Sequence, residues 1–273
     1  WLLPTADETA VEIARRRADL RRLGWRILSC EAEVVANLRN KASLRDYAVR
    51  LGLAEHLPVP YMSVEKAEYP CILKSATGAF GKDCFIVDSP GDVSRYLPGE
   101  LHEGWIMQEL VQGHMEYSVS LLVLNGEIRY TIGMEYEYGS AAYVYPNVRK
   151  VGKRVWAVPP EHMAVMKAFL QGFTGICNFN FKVRSDGRMC IFEVNPRIGG
   201  DLACDAPRDL AQALFEELDT AHELQAADLQ VDRSPLVIEP CDSMPRRTLV
   251  YLHPYGTGLE DYSRKARLFA MAG

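Results

Sequence analysis

Between Gly175 and Asp201 the chain reads GICNFNFKVRSDGRMCIFEVNPRIGGD, two alternating runs on either side of Asp186-Gly187. Asp-Gly between alternating runs is a strong signal for a two-residue β-hairpin turn. With those residues as the turn, Ser185 pairs with Arg188, Asn180 falls opposite Glu193, and Asn178 falls opposite Asn195. Side chains alternate between faces along a strand. One face then carries Phe179, Phe181, Val183, Cys190, Phe192 and Val194, a core face. The other carries Asn178, Asn180, Glu193 and Asn195, with Arg197 two residues beyond. A solvated outer face is one origin for such a set. Amides, a carboxylate and an arginine gathered on one face, running through Glu-Val-Asn-Pro-Arg into Gly199-Gly200, point more strongly to a site. Hard oxygen ligands of this kind suit Mg²⁺, which proteins usually hold through one or two carboxylates together with substrate phosphates.

The rest of the composition narrows the class. The 273 residues are 48 % hydrophobic and 25 % charged, ordinary for a globular chain and long enough for a core shared by two or three subdomains. No apolar run approaches the roughly 18–20 residues of a membrane span. Trp1-Leu2-Leu3-Pro4 runs straight into a charged helix, so no secretory leader is expected. Seven cysteines without C-x-x-C or zinc spacing read as reduced thiols, which fits a cytoplasmic protein. A net charge of −5 gives nucleic acid no bulk attraction. The basic cluster Arg15-Arg16-Arg17 with Arg21 and Arg22 reads as a solvated helix face beside Glu8 and Glu12.

Along the chain, Thr5-x-x-Glu8 is a capping box for a helix running to about Leu23, stopped by Gly24. A short strand is expected at Trp25–Ser29, then helices at Glu31–Leu38 and Ala42–Leu51, the second closed by Gly52. Leu57-Pro58-Val59-Pro60 reads as an extended linker. Strands follow at Cys71–Lys74, Cys84–Asp88 and Trp105–Leu110, with a glycine-containing loop at Ser75–Lys82 and a helix at Asp92–Tyr96, enough for a small subdomain. Asn125-Gly126 marks a second hairpin, with Tyr117, Val119, Leu121 and Val123 sharing a face with Ile128, Tyr130, Ile132 and Met134. Glu116 would then face Glu135, an unfavourable pair unless a cation, a bulge, a polar ligand or a register slip relieves it. Helices are expected at Pro160–Gln171 and Ala206–Leu218, and irregular structure after about Ala227.

Four blocks stand in a fixed order. Asn40-Lys41 opens a helix that leads to Gly52 and the Pro58/Pro60 linker. Pro70-Cys71-Ile72-Leu73-Lys74 precedes the Gly78/Gly81 loop. Met107-Gln108-Glu109-Leu110-Val111-x-Gly113 is followed by Glu116-Tyr117-Ser118-Val119. Asn178-x-Asn180 and Glu193-Val194-Asn195-Pro196-Arg197 form the hairpin. In this order they resemble the ATP-grasp superfamily, most of all its carboxylate–amine ligases and the related carbamoyl-phosphate-synthase-like enzymes. The resemblance covers roughly Thr5 to Leu218.

The resemblance implies an α/β (α+β) chain: an antiparallel-sheet core domain, a small lid subdomain, and a short or truncated N-terminal α/β domain. The implied divisions are 1–40 for the N-terminal remnant, 41–110 for the linker helix and lid, and 111–273 for the core with the metal site and C-terminal segment. By resemblance, Lys41 and Lys74 bind the nucleotide, and Gly78 and Gly81 let a loop close over its phosphates. That loop is not a Walker A motif, because Ala76 and Asp83 hold positions the motif gives to Gly and Ser/Thr. Glu109, Leu110 and Val111 correspond to the hinge that passes the adenine, and Glu116 to the acid near the ribose. Glu193 and Asn195, with Asn180, correspond to the ligands of Mg²⁺ or Mn²⁺, and Arg197 to the group that holds an acylphosphate. Asn180 departs from the family's usual Asp, Glu or Gln, and it offers a carbonyl oxygen without charge.

The implied chemistry is ATP-dependent activation of a small carboxylate as its acylphosphate and transfer to an amine or other nucleophile. Phosphoryl transfer of this kind rests on positioning and charge stabilisation. Gly199-Gly200-Asp201 would add the N–H groups of a following helix, and Arg149, Lys150 and Lys153 either a second basic contribution or a solvated loop. Bicarbonate activation in the same fold and a non-catalytic ATP-binding module are the alternatives. The expected partners are small molecules, with neither nucleic acid nor membrane, and a homodimer is compatible with the sequence.

Overall fold

The computed structural model describes residues 1–76, 83–97, 99–102, 104–228 and 250–252. Its elements in chain order begin with β1 (Leu2–Pro4), α1 (Asp7–Arg15), α2 (Arg17–Arg22), α3 (Ala32–Arg39), α4 (Lys41–Leu51) and β2 (Pro60–Tyr61). The lid follows, as β3 (Cys71–Ser75), β4 (Cys84–Val87), α5 (Pro90–Tyr96) and β5 (Trp105–Glu109). The remainder is β6 (Met115–Leu124), β7 (Glu127–Tyr138), β8 (Lys150–Val155), α6 (Pro160–Phe169), β9 (Gly175–Val183), β10 (Met189–Asn195), α7 (Arg208–Asp228) and β11 (Val250–Leu252).

Two antiparallel sheets carry the architecture. The core sheet has the order β10-β9-β6-β7-β8, and the lid sheet β2-β5-β3-β4. A parallel pair, β1 with β11, stands apart. Odd-numbered residues of β6 and β9, including Val119, Leu121, Cys177, Phe179 and Phe181, are buried against α1, α3, α4 and α6. The opposite face changes character along its length. Leu122 and Ile176 pack with Leu214 and Leu218 of α7, and further along the same face Ser118, Ser120, Asn178 and Asn180 take over. The lid has its own small core of Cys71, Leu73, Val87, Val93, Leu97 and Met107.

The ligand end of the second hairpin has the predicted pairing, Asn180 opposite Glu193 and Asn178 opposite Asn195. Its turn differs. Arg184 N–H bonds to the Arg188 carbonyl and Gly187 N–H to the Arg184 carbonyl, so Ser185–Gly187 is a three-residue loop, with Gly187 at φ +85°. This shifts the strand by one residue, and a β-bulge between Ile191 and Glu193 shifts it back. Met189 and Ile191 therefore join the helix-side core in place of Cys190 and Phe192, which the sequence reading had assigned there.

The Asn125-Gly126 turn forms with φ of 51° and 81°, as a two-residue hairpin requires. A bulge next to it, between Leu122 and Val123, removes the expected Glu116–Glu135 opposition. Glu116 faces Tyr136, while Glu135 faces Tyr117 and pairs with Arg154 at 2.5 Å. The same shift puts Ile132 and Met134 on the face away from Val119 and Leu121.

Other local expectations also change. The first helix starts one residue later than the Thr5-x-x-Glu8 reading places it; Ala6 is the N-cap, and Asp7 of the first turn is drawn to Arg197. The first helix breaks at Arg16 into α1 and α2. Among the described residues Trp25–Ser29 joins no strand ladder, although the Leu2 N–H of β1 donates to the Arg26 carbonyl at 2.9 Å. Pro60, read as linker, starts edge strand β2, a position where a missing N–H is tolerated. Residues 150–155 form strand β8 rather than a loop. Among the described residues no helix is long and apolar enough to cross a membrane.

Phe179 has no exposed surface and sits in the centre of the helix-side core. Phe179→Ala is expected to lower unfolding free energy by about 3–5 kcal/mol in urea titration, through lost burial and the cavity left behind.

Candidate functional site

Each side chain of the site is delivered by a different local device. Asn40 caps α4, its Oδ1 accepting from the N–H groups of Ala42 at 2.8 Å and Ser43 at 3.3 Å. That fixes Lys41 at the helix start, where its Nζ lies 4.0 Å from Glu193 Oε2. Lys74 comes from β3 of the lid and is buried, within electrostatic reach of Lys41 and Glu193. Its ammonium is pushed down to about 8, first by burial and then by Lys41, while Cys84, Glu193 and Cys190 pull the other way.

Glu193 is the anionic centre. Its Oε1 accepts from Asn180 Nδ2 at 3.0 Å and from Asn195 Nδ2 at 3.3 Å. Burial alone would raise its pKa; Lys41, the Asn195 hydrogen bond, Arg197 and Lys74 together hold it below the usual carboxylate value. Arg197 is gripped in turn, donating to Asp7 Oδ1, to Asn195 Oδ1 and to the Ile198 carbonyl at 3.0, 3.0 and 3.1 Å.

Below these groups lies a buried support that the sequence reading did not assign. Asp201 accepts from Ser120 Oγ and from Asn178 Nδ2, each at 2.9 Å. Asn178 Nδ2 also donates to Ser118 Oγ at 2.9 Å, and its Oδ1 accepts from Asn180 at 3.0 Å and Asn195 at 3.4 Å. Asp201 therefore anchors the amides that anchor Glu193. The sequence reading expected a helix N-terminus here to bind anions. Instead a single π-type turn, Asp201–Asp205, follows Gly200, and it opens on the buried, anionic side chain of Asp201. Lys150 and Lys153, from β8, are drawn to Asp205 at 3.4 and 2.6 Å, alongside the Tyr136 hydroxyl at 2.9 Å.

The expected hinge residues lie at the other end of the same β9 face. The Glu109 carboxylate is held by both terminal nitrogens of Arg184 and by the Val59 N–H at 3.0 Å. The Val111 carbonyl accepts from Lys182 at 3.1 Å, and Leu110 is half-buried between them. Glu116 accepts from the Tyr143 hydroxyl at 2.7 Å. Burial raises its pKa, against that bond and Lys182. The structure thus brings together Lys41, Lys74, Glu116, Asn180, Glu193, Asn195 and Arg197; Gly78 and Gly81 lie outside the described residues. Lys182 and Arg184 were missed, although the two-residue alternation that picked out Asn178 and Asn180 continues directly to them.

The donor set can be weighed against a divalent ion. Among the described residues no group of three or more His, Cys, Asp or Glu is arranged to hold a metal. Asn195 Oδ1 accepts from Arg197 at 3.0 Å, which leaves it a second lone pair. Glu193, Asn180 and Asn195 together fit a Mg²⁺ ion carried mainly by substrate phosphates rather than an all-protein cage.

The ATP-grasp domain family ATP-grasp_3 matches residues 47–201, and the chain belongs to that family, whose enzymes are ligases using ATP with Mg²⁺ or Mn²⁺. No curated protein matches the sequence. Among solved structures, N5-carboxyaminoimidazole synthase from Aspergillus clavatus, in complex with ADP and 5-aminoimidazole ribonucleotide, superposes with a TM-score of 0.51 at 15 % identity, over 79 % of this chain and 58 % of that one. The ATP complex of carboxyaminoimidazole ribonucleotide synthase from the same organism gives 0.50 at 16 %, over 69 % and 53 %. L-amino acid ligase from Bacillus licheniformis gives 0.49 at 16 %, over 72 % and 54 %. At such identities the likeness is one of fold, and the chain spans little more than half the length of these proteins.

Gly199 lets the support close. A Cβ there would stand 2.2 Å from Asp201 Oδ1 and 2.7 Å from Asn178 Cγ, whereas one at Gly200 would meet nothing within 4 Å. Gly199→Ala is expected to cost about 1–3 kcal/mol in chemical denaturation, with Gly200→Ala much closer to neutral.

Proposed function

We propose that this chain is an ATP-dependent ligase that activates a substrate carboxylate as an acylphosphate and transfers the acyl group to an amine, releasing ADP and phosphate. The observation that carries this reading is the convergence of Lys41, Lys74 and Arg197, from three separate elements, on the ionised Glu193. Three cations against two carboxylates, Glu193 and the Asp7 that pairs with Arg197, still leave a positive excess, the arrangement a polyphosphate and a transferring phosphoryl group need.

In this reading Lys41 and Lys74 bind and orient the nucleotide phosphates, and Arg197, fixed by Asp7 and Asn195, holds the acylphosphate. Glu193 and Asn195, with Asn180, would hold Mg²⁺, which supplies charge neutralisation at the phosphates when bound. Glu109, Leu110 and Val111 form the hinge beside the base, and Glu116 lies near the ribose. Val111 offers its backbone there with its carbonyl already taken, and Glu109 with its carboxylate already taken. The divisions 1–40, 41–110 and 111–273 describe an N-terminal remnant, a linker helix with lid, and a core; the lid's separate hydrophobic core supports the middle boundary.

The reading is tested by ADP and phosphate release from Mg²⁺-ATP against a panel of amino acids, small carboxylates and bicarbonate. Carboxylate-dependent release, lost by about 10²-fold or more in Glu193→Ala and in Lys74→Ala, is the expected result. Release with bicarbonate alone would move the assignment to bicarbonate activation. ADP binding without release on any member would favour a binding module.

The Lys74 ammonium gives a second test. It is cationic below about 8 and neutral above, so its hold on phosphate is lost as pH rises through that value. ADP affinity should therefore weaken between pH about 7 and about 9, and Lys74→Arg should flatten the profile because a guanidinium stays charged. An unchanged affinity over that range in the unsubstituted chain would remove Lys74 from the phosphate site.

A further inference from the structure

The face of β9 that carries Asn178 and Asn180 continues to Lys182 and Arg184, and both reach the chain where it crosses from lid sheet to core sheet. Lys182 is only 3 % exposed. Its Nζ donates to the Val111 carbonyl at 3.1 Å and to the Ala141 carbonyl at 3.4 Å, and lies 4.0 Å from the centroid of the Tyr143 ring. The Ala141 carbonyl also accepts from the Gly113 N–H at 2.9 Å. Tyr143 donates to Glu116 at 2.7 Å. Lysine 182 is thus the common point of the crossing 110–114, the loop after β7, and the start of β6. Two residues on, Arg184 forks Glu109, the last residue of the lid sheet, and donates to the Leu57 carbonyl at 3.4 Å.

A buried ammonium is costly to desolvate, and an apolar side chain would fill the same space without that penalty. What the lysine adds is direction: two carbonyls from different segments are bound to one atom. A ligand held by Lys74 from the lid and by Glu193 from the core is held well only if the crossing keeps those two sheets at a fixed spacing. We propose that Lys182 is a positioning residue for nucleotide binding, tying the lid-to-core crossing to β9 through the Val111 and Ala141 carbonyls so that Lys74 and Glu193 meet one nucleotide together. The inference rests on the nucleotide-binding reading above. It concerns a residue that touches the crossing rather than the phosphates, and it predicts an effect on affinity more than on turnover.

The test is ADP binding by calorimetry, with Mg²⁺, in the full chain and in Lys182→Met and Lys182→Arg. Lys182→Met keeps the bulk of the stem and removes the donors; an affinity loss of about tenfold is expected, the size of a lost charged hydrogen bond. Lys182→Arg, which keeps a cation able to reach carbonyls, should recover most of that loss. Where ligase turnover is measurable, KM for ATP should rise in Lys182→Met with kcat changed far less. ADP affinity in a folded Lys182→Met within about twofold of the unsubstituted chain would overturn the inference. Should Lys182→Met fail to fold, the unsubstituted chain decides: the ¹³C-labelled Lys182 side-chain resonance should shift when ADP is added, and a resonance unmoved at saturation would overturn the proposal. An unsubstituted chain that binds no ADP would sink the ligase reading itself, an outcome separate from binding that ignores Lys182.

Discussion

A carboxylate that remains ionised inside a cleft needs cations brought to it from outside its own strand. Glu193 obtains them from α4, from the lid strand β3 and from the turn after β10. None of the three sources is close to another along the lid and core segments, so the charge state of one side chain depends on the assembly of most of the chain. The Asn40 cap fixes where Lys41 begins its helix, and Asp7 fixes the fork of Arg197. The start of the first helix belongs to this arrangement too: Asp7, in the first turn of α1, is committed to the site through Arg197.

The core sheet shows how one surface serves two purposes. Along β9 the same face passes from Ile176, packed under α7, to Asn178 on the buried Asp201, then to Asn180 in the cleft. The polar residues are not laid over a finished hydrophobic core; they are its continuation. Among the described residues no buried side-chain polar atom of the support lacks a partner, which is the condition under which such a network orients rather than weakens. Asp201 accepts, Asn178 donates and accepts, and the amides end on Glu193.

Much of this was legible in the sequence because it is local. The Asn-Gly turn, the alternation of β9, the Asn40-Lys41 helix start and the Gly52 stop all follow from short-range geometry, whereas the Asp-Gly turn came out one residue longer. The missing parts are long-range. That Glu109 would be held by Arg184, Arg197 by Asp7, and Lys150 with Lys153 by Asp205 depends on segments far apart in sequence. The bulge before Glu193 was equally invisible, since an extra residue in a strand carries no composition signal, while the one beside Val123 entered only as one of several reliefs for the facing Glu116 and Glu135. At Glu135 the bulge turned an apparent clash of carboxylates into a partnership with Arg154 on β8, a strand that had read as loop.

The bulge beside Phe192 has a further meaning. The three-residue loop at Ser185–Gly187 and the bulge are irregularities of opposite sense, and they cancel before Glu193 is reached. A two-residue turn with no bulge would arrive at the same pairing of Asn180 with Glu193. The hairpin therefore behaves like a structure with an expansion joint: its tip can gain or lose a residue while the working end stays in alignment. Asp186 and Arg188 at the tip are exposed, and a residue moved between loop and bulge leaves the carboxylate on which the site is built where it is.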